Sequence, residues 1–153
     1  KKTMNELNQS TIEALNIVLA DYHLYYQKLR NFHWNITGPH FFELHTKFEE
    51  LYEAAKLKID EIAERILTLR GKPISNYTTY LVTSTIKESD TNLVDHEMVS
   101  AILEDHEILL KALKKVIQVA SDVDDDGTLD IIGTYIGEIE KTSWMLNAWN
   151  QRK

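Results

Sequence analysis

A chain of 153 residues corresponds to one domain at roughly 150 residues per domain, long enough to bury a sizeable core, and residues 1–153 are read as a single domain. Its 43% hydrophobic and 27% charged residues exclude a disordered or fibrous chain, while 17 Lys plus Arg against 24 Asp plus Glu, a net charge of -7, argue against nucleic acid and anionic membrane and for cations as partners. The lack of cysteine excludes disulfides, thiolate metal sites and a thiol nucleophile; no apolar run approaches the ~18 residues of a membrane span and the start, Lys1-Lys2-Thr3-Met4-Asn5-Glu6, has no secretory apolar core, so a cytoplasmic protein with no membrane partner is expected.

In the first segment Ile12, Leu15, Leu19, Tyr22, Tyr26, Leu29 and His33 recur at steps of three and four, the stripe of a bundle helix ending near Asn35. Thr3-x-x-Glu6 and Ser10-x-x-Glu13 both have the form of a capping box, so two starts compete. A second helix opens at Thr37-Gly38-Pro39 and stops at Gly71, with Leu44, Phe48, Leu51, Ala55, Ile62 and Ile66 as its core stripe. Ile74 to Val94 is rich in Ser, Thr and Asn, with Tyr77, Tyr80, Leu81 and Val82 as an apolar cluster; this predicts a long crossover holding one short helix. A third stripe (Val99, Ile102, His106, Leu109, Leu113, Val116, Ala120) follows Asp95 as N-cap, and a fourth (Ile132, Ile136, Ile139, Ser143, Leu146) runs toward Trp149. Short links, one long crossover and four long helices define an all-α, ferritin-like four-helix bundle.

The polar residues of the second helix are not scattered. At 100° per residue His45, Glu49, Asp60 and Glu64 fall at about 0°, 40°, 60° and 100°, an arc that also carries Ala63 and Leu67 and faces away from the core stripe. This predicts a second contact face. His45 and Asp60 lie about 22 Å apart along the helix axis, whereas metal–ligand bonds span about 2.0–2.6 Å, so one ion joins them only where His45 of one chain meets Asp60 and Glu64 of another. A two-fold axis across this face has that effect and gives two equivalent sites per dimer. His33 can join His45 across the turn from Asn35 to Pro39. Imidazoles and carboxylates together suit a divalent first-row metal, iron(II) or zinc. Each residue alone has an ordinary structural reading: a histidine on a stripe is usually a hydrogen-bonded core residue and an Asp-x-x-x-Glu pair is usually solvated. No Glu-x-x-His pair of an intra-bundle di-iron site occurs, which disfavours a site within one bundle. His23, His40, His96 and His106 are read as structural or exposed, and Trp34, next to His33, as the best-placed aromatic electron donor.

Asp122-Val123-Asp124-Asp125-Asp126-Gly127-Thr128-Leu129-Asp130 follows the first nine positions of an EF-hand loop, but Gly133 stands where its closing Glu belongs, which argues against tight calcium binding. Two readings remain: a helix-start turn, or a ring of carboxylates that gathers cations where several copies meet at a symmetry axis.

Asn31-Phe32-His33-Trp34-Asn35-Ile36-x-Gly38-Pro39-His40-Phe41-Phe42-x-Leu44-His45-x-x-Phe48-Glu49-Glu50-Leu51-Tyr52, followed by Asp60-Glu61-Ile62-Ala63-Glu64-Arg65, resembles the Dps family of mini-ferritins, DNA-binding proteins from starved cells, and the likeness spans essentially the whole chain. The resemblance implies a homododecameric shell with ferroxidase sites across its two-fold interfaces. It implies that His33 and His45 come from one subunit and Asp60 and Glu64 from its mate, with Glu49 a further or bridging ligand and Trp34 beside the site. Asp126 and Asp130, with Asp122 or Asp125, correspond to the carboxylates of the family's three-fold iron pores. The implied chemistry is oxidation of paired iron(II), preferably by hydrogen peroxide, with storage of ferric mineral and protection from oxidative damage; zinc is an alternative occupant. The alternative function is DNA compaction. The Lys- and Arg-rich tail of DNA-binding members has no counterpart beyond Lys1, Lys2, Arg152 and Lys153, so DNA binding is not expected.

Overall fold

The computed structural model describes residues 1–151, and among them the predicted stripes form six helices and no strand. These are α1 (Met4–Leu7), α2 (Gln9–Asn35), α3 (Phe41–Thr68), α4 (Tyr77–Thr83), α5 (Asp95–Ser121) and α6 (Asp126–Trp149). Four are long and one, α4, lies in the crossover, which is the all-α, ferritin-like bundle that the sequence predicts. Arg152 and Lys153, the basic end of the chain, lie outside the described residues.

The bundle is organised around α2, which packs on α3, α4 and α5, while α6 packs on α5. Leu15, Leu19, Tyr22, Leu29 and Phe32 of α2 meet Phe48, Ile62 and Ile66 of α3 and Met98, Val99, Ile102 and Leu109 of α5 in one core. Tyr26 and Leu51, placed on the core stripes by period alone, are only partly buried at its edge.

Helix ends differ from the sequence-based expectation in instructive ways. The Thr3–Glu6 capping box forms and starts α1, whereas Ser10 lies inside α2 and Glu13 instead accepts from the Gln9 side-chain amide. At the end of α3 the left-handed residue is Arg70, at φ 68°, with Gly71 N–H returning to Ile66 O at 2.9 Å. Gly71 is required for space: a Cβ there would come within 2.7–2.9 Å of Ile12. Val94, not Asp95, is the N-cap of α5, its N–H bonded by Glu97 Oε1 at 2.9 Å. Asp21, wholly buried on α2, accepts from the Ser84 hydroxyl and from Thr85 and Ile86 N–H, which ties the crossover to the bundle.

Candidate metal centre

The end of α2 and the first turns of α3 run side by side across the Ile36–His40 turn, in which Gly38 takes φ 99°. This brings His33 and His45 face to face, their rings stacked at 3.8 Å between centroids and 11° between planes. Each ring is held by the other's backbone: His33 Nδ1 donates to His45 O at 2.6 Å and His45 Nδ1 donates to His33 O at 2.7 Å. A carbonyl only accepts, so both Nδ1 atoms carry a proton, and in the neutral form of each ring Nε2 is the atom that keeps a lone pair. The crossed pair fixes ring orientation and tautomer together, as a metal ligand requires.

Glu49, one turn beyond His45, approaches the same imidazole pair. Its Oε1 lies 3.7 Å from His33 Nε2, too far for a hydrogen bond. Two ligands on a tetrahedral ion with bonds near 2.1 Å stand about 3.4 Å apart, so this gap suits a shared cation. The donor chemistry and spacing present therefore fit half of a divalent-metal site. Tyr52, not among the residues the sequence singles out for the site, meets His33 edge to face at 5.3 Å and its hydroxyl reaches Glu49 at 3.5 Å. Its place two turns after His45, on the same arc, was the available signal. Phe41 stacks on the other side of His45 at 4.8 Å.

Asp60 and Glu64 are exposed, four or more turns further along α3, and the structure does not bring them to the histidines of their own chain. Among the described residues no three His, Asp or Glu side chains converge on a point where one ion would sit. Leu57 and Leu67, flanking these carboxylates, are 72% and 54% exposed, an apolar lining consistent with a contact face. Trp34 is 58% exposed, with the Arg30 guanidinium 5.0 Å above its ring.

In the acidic segment Asp124 takes φ 54° and α6 begins at Asp126, so Gly127 lies inside a helix and the twelve-residue calcium loop does not exist. Asp125 is the N-cap: it accepts from Thr128 N at 3.1 Å and Thr128 Oγ1 at 2.6 Å and pairs with Arg65 Nη2 at 2.7 Å. That carboxylate is internal and already bonded, whereas Asp122, Asp126 and Asp130 are exposed. The remaining histidines have local partners. His106 is buried between the Tyr25 hydroxyl at 2.8 Å and Ser143 Oγ at 2.7 Å, and burial pushes it down to about 4, so it is neutral at neutral pH. Beside it in sequence, Asp105 pairs with Lys28 at 2.8 Å, yet burial outweighs the ammonium and raises the carboxyl to about 6. His23 stacks on Tyr80.

Residues 12–152 match the ferritin-like domain. The chain is 45% identical over 143 residues to DNA protection during starvation protein 2 of Bacillus anthracis, covering 94% of this chain and 98% of that one. Among solved structures, a Dps protein of Vibrio cholerae, described as a member of a broad superfamily of ferritin-like diiron-carboxylate proteins, superposes with a TM-score of 0.93 at 41% identity over 96% of this chain and 92% of its own. A Dps protein of Bacillus brevis gives a TM-score of 0.93 at 40% identity, covering 99% of this chain and all (100%) of that one. Likeness of this extent, in sequence and in backbone alike, makes the chain a member of the Dps family within the ferritin-like superfamily.

Proposed function

We propose that the protein is a ferroxidase and iron-storing mini-ferritin that oxidises iron(II), preferably with hydrogen peroxide, at sites shared by two chains of a cytoplasmic homododecamer. The observation that carries this reading is the crossed His33–His45 pair, whose Nε2 atoms are turned away from these bonds and which, among the described residues, finds no carboxylate of its own chain beyond Glu49 to complete a site. Asp60 and Glu64 are a matching half without histidines, at the other end of the same helix face. An antiparallel two-fold pairing of α3 unites the halves. Exposed Tyr77 and Val82 on α4, at 83% and 79%, are further apolar surface that assembly would cover.

In the reaction, His33 and His45 act as neutral donors and Glu49, Asp60 and Glu64 as anionic ones. Anionic oxygen donors stabilise iron(III) over iron(II), which favours loss of an electron from each substrate ion. Two iron(II) ions give one electron each, the O–O bond of peroxide breaks, and two protons complete two waters, so no hydroxyl radical is released. Glu49 suits a bridging position, and Trp34 lies one residue from the pair as an electron source when only one iron is bound. Asp122, Asp126 and Asp130 concentrate cations at the start of α6, while Asp125 acts through Arg65 and the helix cap. Ferric product accumulates as mineral inside the shell, and zinc competes for the same donors.

His33→Ala and Asp60→Ala should each slow peroxide-dependent iron(II) oxidation at least about tenfold while the assembly keeps its mass. Wild-type rates in both variants refute the reading. The names of the relatives raise DNA protection, and a net charge of -7 favours protection by removing iron and peroxide over binding phosphate. A tight, salt-sensitive complex with duplex DNA at low ionic strength would reverse that preference.

A further inference from the structure

Tyrosine rings lead from the proposed ferroxidase centre into the core of the bundle. Tyr52, which meets His33 edge to face at 5.3 Å, meets Tyr26 in the same way at 6.0 Å. Tyr26 and Tyr22 stand one turn apart on the same face of α2. Tyr22 in turn lies 6.1 Å from Tyr25 and 6.1 Å from Tyr135, edge to face with each. Rings in such near contact pass an electron readily from one to the next.

The tyrosines differ in what becomes of their protons. A phenol that loses an electron turns strongly acidic, so the loss is easy only where a base takes the proton at the same time. Tyr22 has no such base, its buried hydroxyl having no hydrogen-bond partner. Tyr25 has one. Burial holds its phenol protonated, and among the described residues the acceptor within reach of its O–H is His106 Nε2, at 2.8 Å. The other nitrogen, Nδ1, then carries the imidazole proton and donates to Ser143 Oγ at 2.7 Å. Burial also keeps His106 neutral and so able to take a proton. Tyr25 is 5% exposed and His106 1%, which keeps a radical formed there away from solutes. Tyr135 bonds to the carboxylate of Glu61, but Glu61 is exposed.

The proposed reaction, on which this inference rests, creates a use for such a donor. Peroxide needs two electrons to become two waters and each iron(II) gives one, so a centre holding a single iron is one electron short and would release hydroxyl radical. We propose that Tyr25 supplies the missing electron, with His106 taking the phenolic proton and Tyr22, Tyr26 and Tyr52 carrying the electron outward to the centre. In each event one iron(II) becomes iron(III) and Tyr25 becomes a neutral phenoxyl radical, its proton bonded to His106 Nε2. The O–O bond of peroxide breaks and two protons from solvent complete two waters. Trp34, beside the centre but 58% exposed, meets the same need only at the surface.

Two experiments on the assembled protein test this. In the first, metal-stripped protein is flashed with ruthenium tris-bipyridine and persulfate, a one-electron oxidant that needs no iron, and frozen after surface radicals have decayed. Electron paramagnetic resonance should show a persistent phenoxyl signal, narrowed by ring-deuterated tyrosine and so distinct from an indole radical. It should be lost in Tyr25→Phe and largely lost in His106→Gln, which keeps the phenol and removes the base. In the second, one iron(II) per site and peroxide should give the same signal, and two iron(II) per site should give none. Both variants should then release hydroxyl radical to a spin trap where the wild type does not. Assembled mass is checked for each variant, and His106→Gln decides if Tyr25→Phe does not assemble. A wild type without the persistent signal, or a signal undiminished in the variants, overturns the proposal. So does a signal after the flash that single-iron loading fails to reproduce. The ferroxidase reading is judged separately, by the ferric product formed at two irons per site.

Discussion

If each centre takes its histidines from one chain and its distal carboxylates from another, two inactive variants should repair each other. Consider His45→Ala and Asp60→Ala. A shell of the first has no complete histidine pair, and a shell of the second has no complete carboxylate pair. In a mixed dyad one site receives both lesions, and the other receives intact histidines from the Asp60→Ala chain and intact carboxylates from the His45→Ala chain. Random co-assembly in equal amounts makes half of the dyads mixed, so about one quarter of all sites are restored. Co-refolded shells, checked for full mass, are loaded anaerobically with iron(II), mixed with peroxide, and followed by the absorbance of the ferric product. The expected rate is about one quarter of wild type, against parents at least about tenfold slower than wild type. Mixed shells no faster than the parents would refute the shared site, because ligands drawn from one chain cannot complement.

Asp125→Ala removes the α6 cap and leaves the guanidinium of Arg65 without its carboxylate, so stability should fall by about 2–3 kcal/mol; an unchanged urea midpoint would refute this assignment. Lowering pH protonates the native Asp105, at about 6, before the unfolded one at 3.8, which stabilises the fold, while His106, at about 4 when native, protonates first in the unfolded chain at 6.5, which destabilises it. The two effects, each between about 2 and 3 kcal/mol over pH 6.5 to 4, nearly cancel in the wild type, so Asp105→Asn should lose about 2 kcal/mol more than wild type across that range in urea titrations, and an opposite slope contradicts the assignment. Joining His45 to the partner's acidic end places the dyad midway along α3, beside exposed Glu53. In this cysteine-free chain Glu53→Cys should give oxidised dimers and Lys47→Cys, on another face, none; the reverse pattern moves the axis elsewhere.

The long helices were legible because their apolar stripes keep a 3.6-residue period and their breaks are punctuated. All seven predicted positions of the α5 stripe, Val99 to Ala120, are buried, His106 among them. Helix ends were less legible, since they depend on contacts distant in sequence: the length of α3 is set by Arg70 adopting a left-handed turn and by Gly71 lying against Ile12, 59 residues away. Period placed His33 on the core stripe but could not foresee that His45 O would take its proton, because that bond needs the turn to fold α3 back along α2. Asp125 shows the converse limit. A run of acidic residues looks uniform in sequence, yet one member is sequestered by Arg65, 60 residues earlier, and the others stay in water.

On the proposed reading, the distribution of ligands along α3 couples chemistry to assembly. The crossed histidines are rigid before any partner arrives, since each Nδ1 is satisfied within the chain. They therefore lose little freedom on binding iron, whereas Asp60 and Glu64, exposed in an isolated chain, are ordered by the interface itself. An unassembled protomer can offer two imidazoles and Glu49 but lacks the partner's Asp60 and Glu64, two of the three anionic donors that would favour iron(III). On that reading catalysed oxidation belongs to the dyad and not to the protomer. The same interface that completes the centre also builds the wall, so ferric product forms where there is a container to receive it.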